Sequence, residues 1–223
     1  SVIGFSFDGT GYGSDGAFWG GEVLLADFCG FERLAHLKYV PLPGGDAAVK
    51  RPYRTALAHL WAAGIDWDEA LPPVGACPEI ERGILQRQLE TGLNSVPTSS
   101  MGRLFDAVAA LAGIRQTVTF EALGAFVLEA LIVENVTDSY RFDLVGSQAV
   151  IQFDPAPVMH AIVDDLRAGL AVPVIASKFH NGVAELIETV SLRLSTQTGV
   201  KTIALTGGVF QNVTLQRLAI ERL

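Results

Sequence analysis

Apolar positions along the chain fall into runs whose spacing predicts the elements. Residues 2–7, 17–26 and 31–40 are short apolar stretches between glycine- and aspartate-rich breaks, the pattern of strands and turns. The first two flank Asp8-Gly9-Thr10-Gly11 and a glycine-dense turn, which predicts a β-hairpin. The third, which contains His36, reads as a further strand. After the break at 41–46, Asp46 is placed to cap a helix that runs to Gly64, with Pro52 interrupting it or opening its first turn. Residues 65–78 read as a loop and 78–91 as a helix. Thr98-Ser99-Ser100 caps a clear helix over 101–113, with Leu104, Phe105, Val108 and Leu111 on its apolar side. Asp106 lies inside that helix and needs either exposure or a buried partner. A helix at 120–134, strands at 139–145 and 149–153 around Gly146-Ser147, and helices at 155–169 and 174–195 follow. The chain closes with a strand at 201–205 and a helical pattern to Leu223.

Composition narrows the class. With 223 residues, 49% of them hydrophobic and 18% charged, the chain can build a substantial core. Its net charge of −8 argues against a nucleic-acid partner, which needs clustered Lys and Arg. No apolar run is long enough to span a membrane. Cys29 and Cys77 are too few for a disulfide framework and lack metal-ligand spacing, so a reduced, cytoplasmic setting is expected. Ser1 already lies in a strand pattern and Leu223 in a helical one, which is the expectation for a piece of a longer protein.

Two stretches carry candidate chemistry. Gly9, Gly11 and Gly13 are placed to adopt positive φ and turn their N–H groups inward, as a phosphate-wrapping backbone does, and Asp8 at the strand end could hold a metal. A ligand-free hairpin loop explains the same residues equally well. The second stretch shifts that balance. A strand runs into Thr206-Gly207-Gly208 and then a helix, an arrangement that admits an anion at a helix N-terminus. Two such loops at opposite ends of the chain predict a nucleotide between them. Gly44-Gly45-Asp46, beside Lys50, Arg51 and Arg54, is explained as a loop and cap, and gains meaning only near an anionic ligand.

Four segments together resemble one family: FDGTGYGSDGAFWGGE at 7–22, GFERLAHLKYVPLPGGDAA at 30–48, TSSMGRLFDAVAALAG at 98–113 and ALTGGVFQN at 204–212. They look like part of the last domain of the HypF hydrogenase-maturation carbamoyltransferases, which is similar to tRNA threonylcarbamoyl-transfer proteins. The resemblance implies an α/β fold, a ribonuclease-H-like lobe of the actin, sugar-kinase and heat-shock ATPase superfamily. It implies a β-meander at 1–40, a helical insertion at 41–137, and closing strands and helices at 138–223. It implies carbamoyl transfer from carbamoyl-adenylate, made with ATP from carbamoyl phosphate in domains absent here, to the C-terminal cysteine of a HypE-like partner. A small-molecule O-carbamoyltransferase and a catalytically silent nucleotide-binding or docking module remain the alternatives.

By residue, the resemblance makes Asp8 a catalytic group and a ligand of a divalent metal (iron, zinc or magnesium). It places Gly9, Thr10 and Gly11 beside the nucleotide phosphate, and Gly207, Gly208 and Asn212 in a nucleotide-holding loop. Gly45, Asp46, Arg54, Ser100 and Asp106 fall in motifs that face the cleft. The family's two-histidine metal motif is expected before Ser1 and its Asn-Asp-Gly-Gly motif after Leu223. In FEALGAFVLEAL at 120–131, Ala122, Leu123 and Val127 stand where Gly, Gln and Glu are expected.

Overall fold

The computed structural model describes residues 1–146 and 150–223. It is a mixed α/β domain whose described strands form one mixed sheet. Three strands form an antiparallel meander: β1 (Val2–Tyr12), β2 (Phe18–Ala26) and β3 (Phe31–Leu37). Alternation explains β1, whose Ile3, Phe5 and Phe7 are fully buried on one face. Each such phenylalanine contributes roughly 1.5–3 kcal/mol by leaving water.

The middle of the chain is mostly helical but adds two strands, β4 (Val40–Pro43) and β5 (Ser95–Thr98). They pair antiparallel with each other, and Thr98 of β5 meets Phe18 of β2. Between them lie α1 (Asp46–Lys50), α2 (Pro52–Ala62), α3 (Pro72–Ala76) and α4 (Glu79–Thr91). The α3 helix falls within the expected loop at 65–78. The expected cap at Asp46 is not made. Gly45 holds the cap position with φ 52° and no side-chain bond, while Asp46 is the first helical residue.

The central helix α5 (Met101–Leu111) starts where expected, with the Ser100 side chain accepting from Arg103 N. The next helix, α6 (Leu123–Ala130), is shorter than the apolar pattern at 120–134 predicts. Two strands follow, β6 (Asp143–Gly146) and β7 (Ile151–Asp154), β7 running parallel to β3. The expected turn residue Ser147 and the start of the strand at Ala149 lie outside the described residues. Helices α7 (Ala156–Arg167) and α8 (Val172–Thr198) lead to β8 (Ile203–Thr206), which pairs parallel with β1. A 3-10 turn (Gly208–Gln211) and α9 (Val213–Arg222) complete the chain.

The N-terminal strand and the last strand are therefore neighbours. Both α5 and α8 pack against β1. This juxtaposition brings the two glycine-rich ends of the chain together.

Candidate functional site

The β1–β2 hairpin departs from the sequence expectation in a useful way. Phe7 pairs with Gly21 and Gly11 with Trp19, so Asp8, Gly9 and Thr10 stand opposite Gly20 alone. The strand bulges there rather than ending at Phe7, and the bulge lifts Asp8 and Gly9 out of the ladder. Gly9, Gly11 and Gly13 do not adopt positive φ. They are small because neighbours crowd them. A Cβ on Gly9 would meet Glu121 Oε1 at 2.5 Å, and one on Gly11 would meet the Trp19 carbonyl oxygen at 3.3 Å. A Cβ on Gly13 would collide with the Trp19 ring.

Side chains fix the bulge from below. Ser100 Oγ lies 2.8 Å from both the Asp8 and Gly9 carbonyl oxygens, and its one proton serves either. Ser100 thus ties the bulge to the N-terminus of α5. The buried carboxylate of Glu22 accepts from Gly20 N at 2.6 Å, from Gly21 N at 2.9 Å and from Ser99 Oγ. Burial raises its pKa, opposed by these donors. Gly102 of α5 leaves room for the bulge, since a Cβ there would lie 2.7 Å from the Gly9 Cα.

The other wall comes from the end of the chain. Gly207 has φ 98°, and a Cβ on it would strike the Phe7 carbonyl oxygen. Gly208 faces Asp8, its Cβ position lying 3.1 Å from Asp8 Oδ1. Phe210 stacks on Phe7, with ring centroids 5.5 Å apart. The double glycine does not itself open the α-helix: α9 begins after the 3-10 turn, with Asn212 as its cap. Asn212 Oδ1 accepts from Leu215 N, and Glu129 Oε1 accepts from Thr214 N at 2.9 Å. A protein carboxylate therefore already occupies the positive end of this helix, which the sequence had offered to an anion.

Between the walls is a cleft of about 280 Å³. Asp8 and Gly9 line it on one side and Gly208 and Asn212 on the other, with Arg103, Glu121, Ala125 and Glu129 between. Arg103 is buried, its Nη1 3.0 Å from Asp106 Oδ2 and its Nη2 3.0 Å from the exposed Glu121 Oε1. Among the described residues neither its Nε nor its Nη1 makes a hydrogen bond, so Asp106 meets it as an ion pair and not through an aligned hydrogen bond. Burial lifts the Asp106 carboxyl to about 6, against the pull of Arg103 and with help from Glu121. Asp106 therefore has the buried partner that its place inside a helix demands.

Of the sequence-predicted residues, Asp8, Gly9, Gly208 and Asn212 line the cleft. Ser100, Asp106 and Gly207 support it from behind. Thr10 and Gly11 are not among the lining residues. Gly45, Asp46 and Arg54 lie elsewhere: Arg54 Nε is 2.6 Å from Glu81 Oε1 and its Nη1 donates to the Pro43 carbonyl. That cation fastens α2 to α4 and β4. Arg103, Glu121 and Glu129 were not anticipated. A lone arginine beside the apolar face of α5 is the one signal that could have marked Arg103. Among the described residues no three His, Cys, Asp or Glu side chains converge as metal ligands. Asp8 is a lone carboxylate with Oδ1 engaged by Gly9 N at 2.7 Å. The described residues do not fit a metal. Among the described residues no helix is long and apolar enough to cross a membrane.

Known proteins match this arrangement. Residues 4–223 match the family described as carbamoyltransferase, Kae1-like domain, second subdomain. The carbamoyltransferase HypF of Synechocystis sp. is 38% identical over 228 residues, covering 95% of this chain and 29% of that protein. The Rhodobacter capsulatus HypF is 41% identical over 211 residues, covering 92% of this chain and 26% of that protein. A crystal structure of full-length HypF in a phosphate- and nucleotide-bound form superposes with TM-score 0.91 at 38% identity, covering 99% of this chain and 34% of that one. The T. kodakarensis HypF structure gives TM-score 0.79 at 29% identity. This chain thus spans about a third or less of each of these proteins. It belongs to the HypF carbamoyltransferase family, matching the second subdomain of the Kae1-like domain.

Proposed function

We propose that the chain is the nucleotide-holding part of a HypF carbamoyl-transfer domain. The observation that carries this reading is the cleft itself. The Asp8–Gly9 bulge from one end of the sequence faces Gly208 and Asn212 from the other, with only backbone and small side chains at the closest approach. The nucleotide-bound form of a relative that superposes over 99% of this chain supports it.

On this reading the fold is one ribonuclease-H-like lobe of the actin and sugar-kinase superfamily, with the β1–β3 meander and parallel β8 as its core. Residues 41–137 are its insertion and 138–223 its closing segment. The full-length protein makes carbamoyl-adenylate from ATP and carbamoyl phosphate elsewhere. The C-terminal cysteine thiol of a HypE-like partner then attacks the carbamoyl carbon. The new S–C bond forms as the C–O bond to the adenylate phosphate breaks, AMP leaves with that electron pair, and the thiol proton goes to solvent or to a base. The chain's own part is to orient the adenylate. Gly9 and Gly208 let backbone approach the phosphate, and Asn212 holds the far wall.

Calorimetric titration of this chain with ATP and AMP, with and without divalent metal, tests the reading. Binding that Gly208→Val abolishes is expected. A folded chain that binds neither nucleotide would refute a preformed site. Asp8 stands without converging metal ligands among the described residues, and that favours, as a second reading for the chain alone, a nucleotide-holding module without transfer activity.

A further inference from the structure

His180 lies within α8, is fully buried, and has no role in the site so far. Its Nδ1 is 2.8 Å from the Ala176 carbonyl oxygen. A carbonyl only accepts, so Nδ1 carries the ring proton. Burial lowers the His180 pKa, and the ring stays neutral. Nε2 then presents a lone pair, and it faces Asn212 Nδ2 at 2.8 Å. The Asn212 amide must donate from Nδ2, which leaves Oδ1 to accept from Leu215 N, also at 2.8 Å. One carbonyl on α8 thereby sets the direction of three successive hydrogen bonds. With the amide rotated the other way, Nδ2 would oppose the Leu215 N–H and Oδ1 would oppose the Nε2 lone pair. Both contacts would be lost in a buried place, where unpaired polar groups are costly.

Asn212 both lines the cleft and ends the turn that carries Gly208. We propose that His180 is a positioning residue of this cleft. It acts through Asn212, whose amide it orients so that the turn is held opposite Asp8. The proposal rests on the reading of the cleft as a nucleotide site. A packing role is the competing account, since the His180 ring also meets Phe105 at a centroid distance of 5.4 Å.

Two substitutions separate these accounts. In His180→Gln the terminal amide oxygen reaches the place of Nε2 and keeps an acceptor for Asn212. In His180→Asn the shorter amide keeps a donor for Ala176 but cannot reach Asn212. Calorimetry with AMP is expected to give His180→Gln within about twofold of wild type and His180→Asn about tenfold weaker, the scale of one buried hydrogen bond. Asn212→Ala is expected to weaken AMP binding less in the His180→Asn chain than in wild type, because the two residues share one contact. Equal losses in the two variants, or none in His180→Asn, would overturn the proposal.

A second arm needs no nucleotide. Ring nitrogen shifts in the wild-type chain are expected to show protonated Nδ1 and unprotonated Nε2. Amide exchange at Leu215 is expected to accelerate in His180→Asn and not in His180→Gln. The opposite tautomer, or equal exchange in both variants, overturns the proposal even where AMP binds. If AMP binds no form of the chain, the nucleotide reading falls on that result, and His180 is then left with no nucleotide cleft to position.

Discussion

The two walls of the cleft are both built on glycine, but for different reasons. At Gly207 the obstacle to a side chain is backbone, the Phe7 carbonyl, and φ is 98°. At Gly9 the obstacles are the tips of Glu121 and Arg103, and φ is ordinary. A carbonyl within a paired strand cannot retreat, whereas an exposed glutamate can rotate away. The first wall is thus fixed by the sheet and the second by a charged cluster that can adjust. A glycine-rich motif in a sequence does not distinguish these cases, and substitutions do.

The largest effect is expected at the fixed wall. Gly207→Ala forces an L-residue into a region it avoids and drives Cβ onto the Phe7 carbonyl. Left-handed strain and overpacking together come to about 3–5 kcal/mol. Urea unfolding would read this as a lowered midpoint at unchanged slope. A loss below about 1 kcal/mol would mean that β8 and β1 slide apart cheaply, and the contrast between the walls would disappear.

The charged wall has its own signature in pH. Asp106 is held at about 6, above the ordinary carboxylate value, chiefly by burial. The folded chain therefore binds the Asp106 proton more tightly than the unfolded chain does. Its contribution to stability is fully present below pH 4 and is lost as pH rises through 6. At neutral pH the ionised form costs about 3 kcal/mol on this scale. Asp106→Asn removes that dependence. On going from pH 4 to pH 7, the mutant's stability is expected to change more favourably than wild type's by about that amount. Identical pH profiles would show that Arg103, at 3.0 Å, already cancels the burial.

Much of the architecture was legible before the structure. The meander, the Ser100 cap, α4, α5, α7, α8 and β8 follow from apolar period and turn chemistry. The short strands β4 and β5 were not, because Val-Pro-Leu-Pro and Ser-Val-Pro-Thr are poor strand formers; β4 is tolerated at the sheet edge, and β5 meets β2 through Thr98 alone. Among the residues that line the cleft, Asp8 and Gly208 stood out from the strand-end and double-glycine patterns, and Asn212 only from the resemblance. Glu22 and His180 could not be read in this way: each is defined by a partner distant in the sequence, Ser99 for Glu22 and Asn212 for His180. The resemblance to HypF sequences put Gly45, Asp46 and Arg54 at the cleft, whereas the residues themselves read as a loop beside a helix start, and they do not line the cleft. The anion that Arg54 meets is Glu81, supplied by the protein.

Between the walls, Ala122 precedes α6 with φ 63°, a left-handed conformation that costs an alanine roughly 1 kcal/mol or more. The resemblance to HypF sequences placed a glycine at this position, and the backbone has kept the conformation that a glycine would take. Ala122→Gly is therefore expected to stabilise the chain by about 1 kcal/mol, reduced slightly by the greater freedom of glycine when unfolded. Thermal unfolding would register a rise of a few degrees. A fall instead would mean that the methyl group makes a contact worth more than the strain.

The smallest effect is expected at Gly9, and it decides the comparison. Gly9→Ala keeps an allowed φ and recovers the strand propensity that glycine lacks. Against that, Cβ must displace Glu121 Oε1, 2.5 Å away, and press on Arg103 Nη2 at 3.0 Å. Because Glu121 is more than half exposed, 58% at its side chain, it can turn into solvent and give up only a partly screened ion pair. The net loss is expected near 0.5 kcal/mol, an order below the loss at Gly207. Glu121→Ala should relieve most of it, so the double variant is expected to be more stable than the sum of the two single changes implies. Strict additivity in that cycle would place the constraint on Arg103 instead. Both walls would then be rigid, one through backbone and the other through a buried cation.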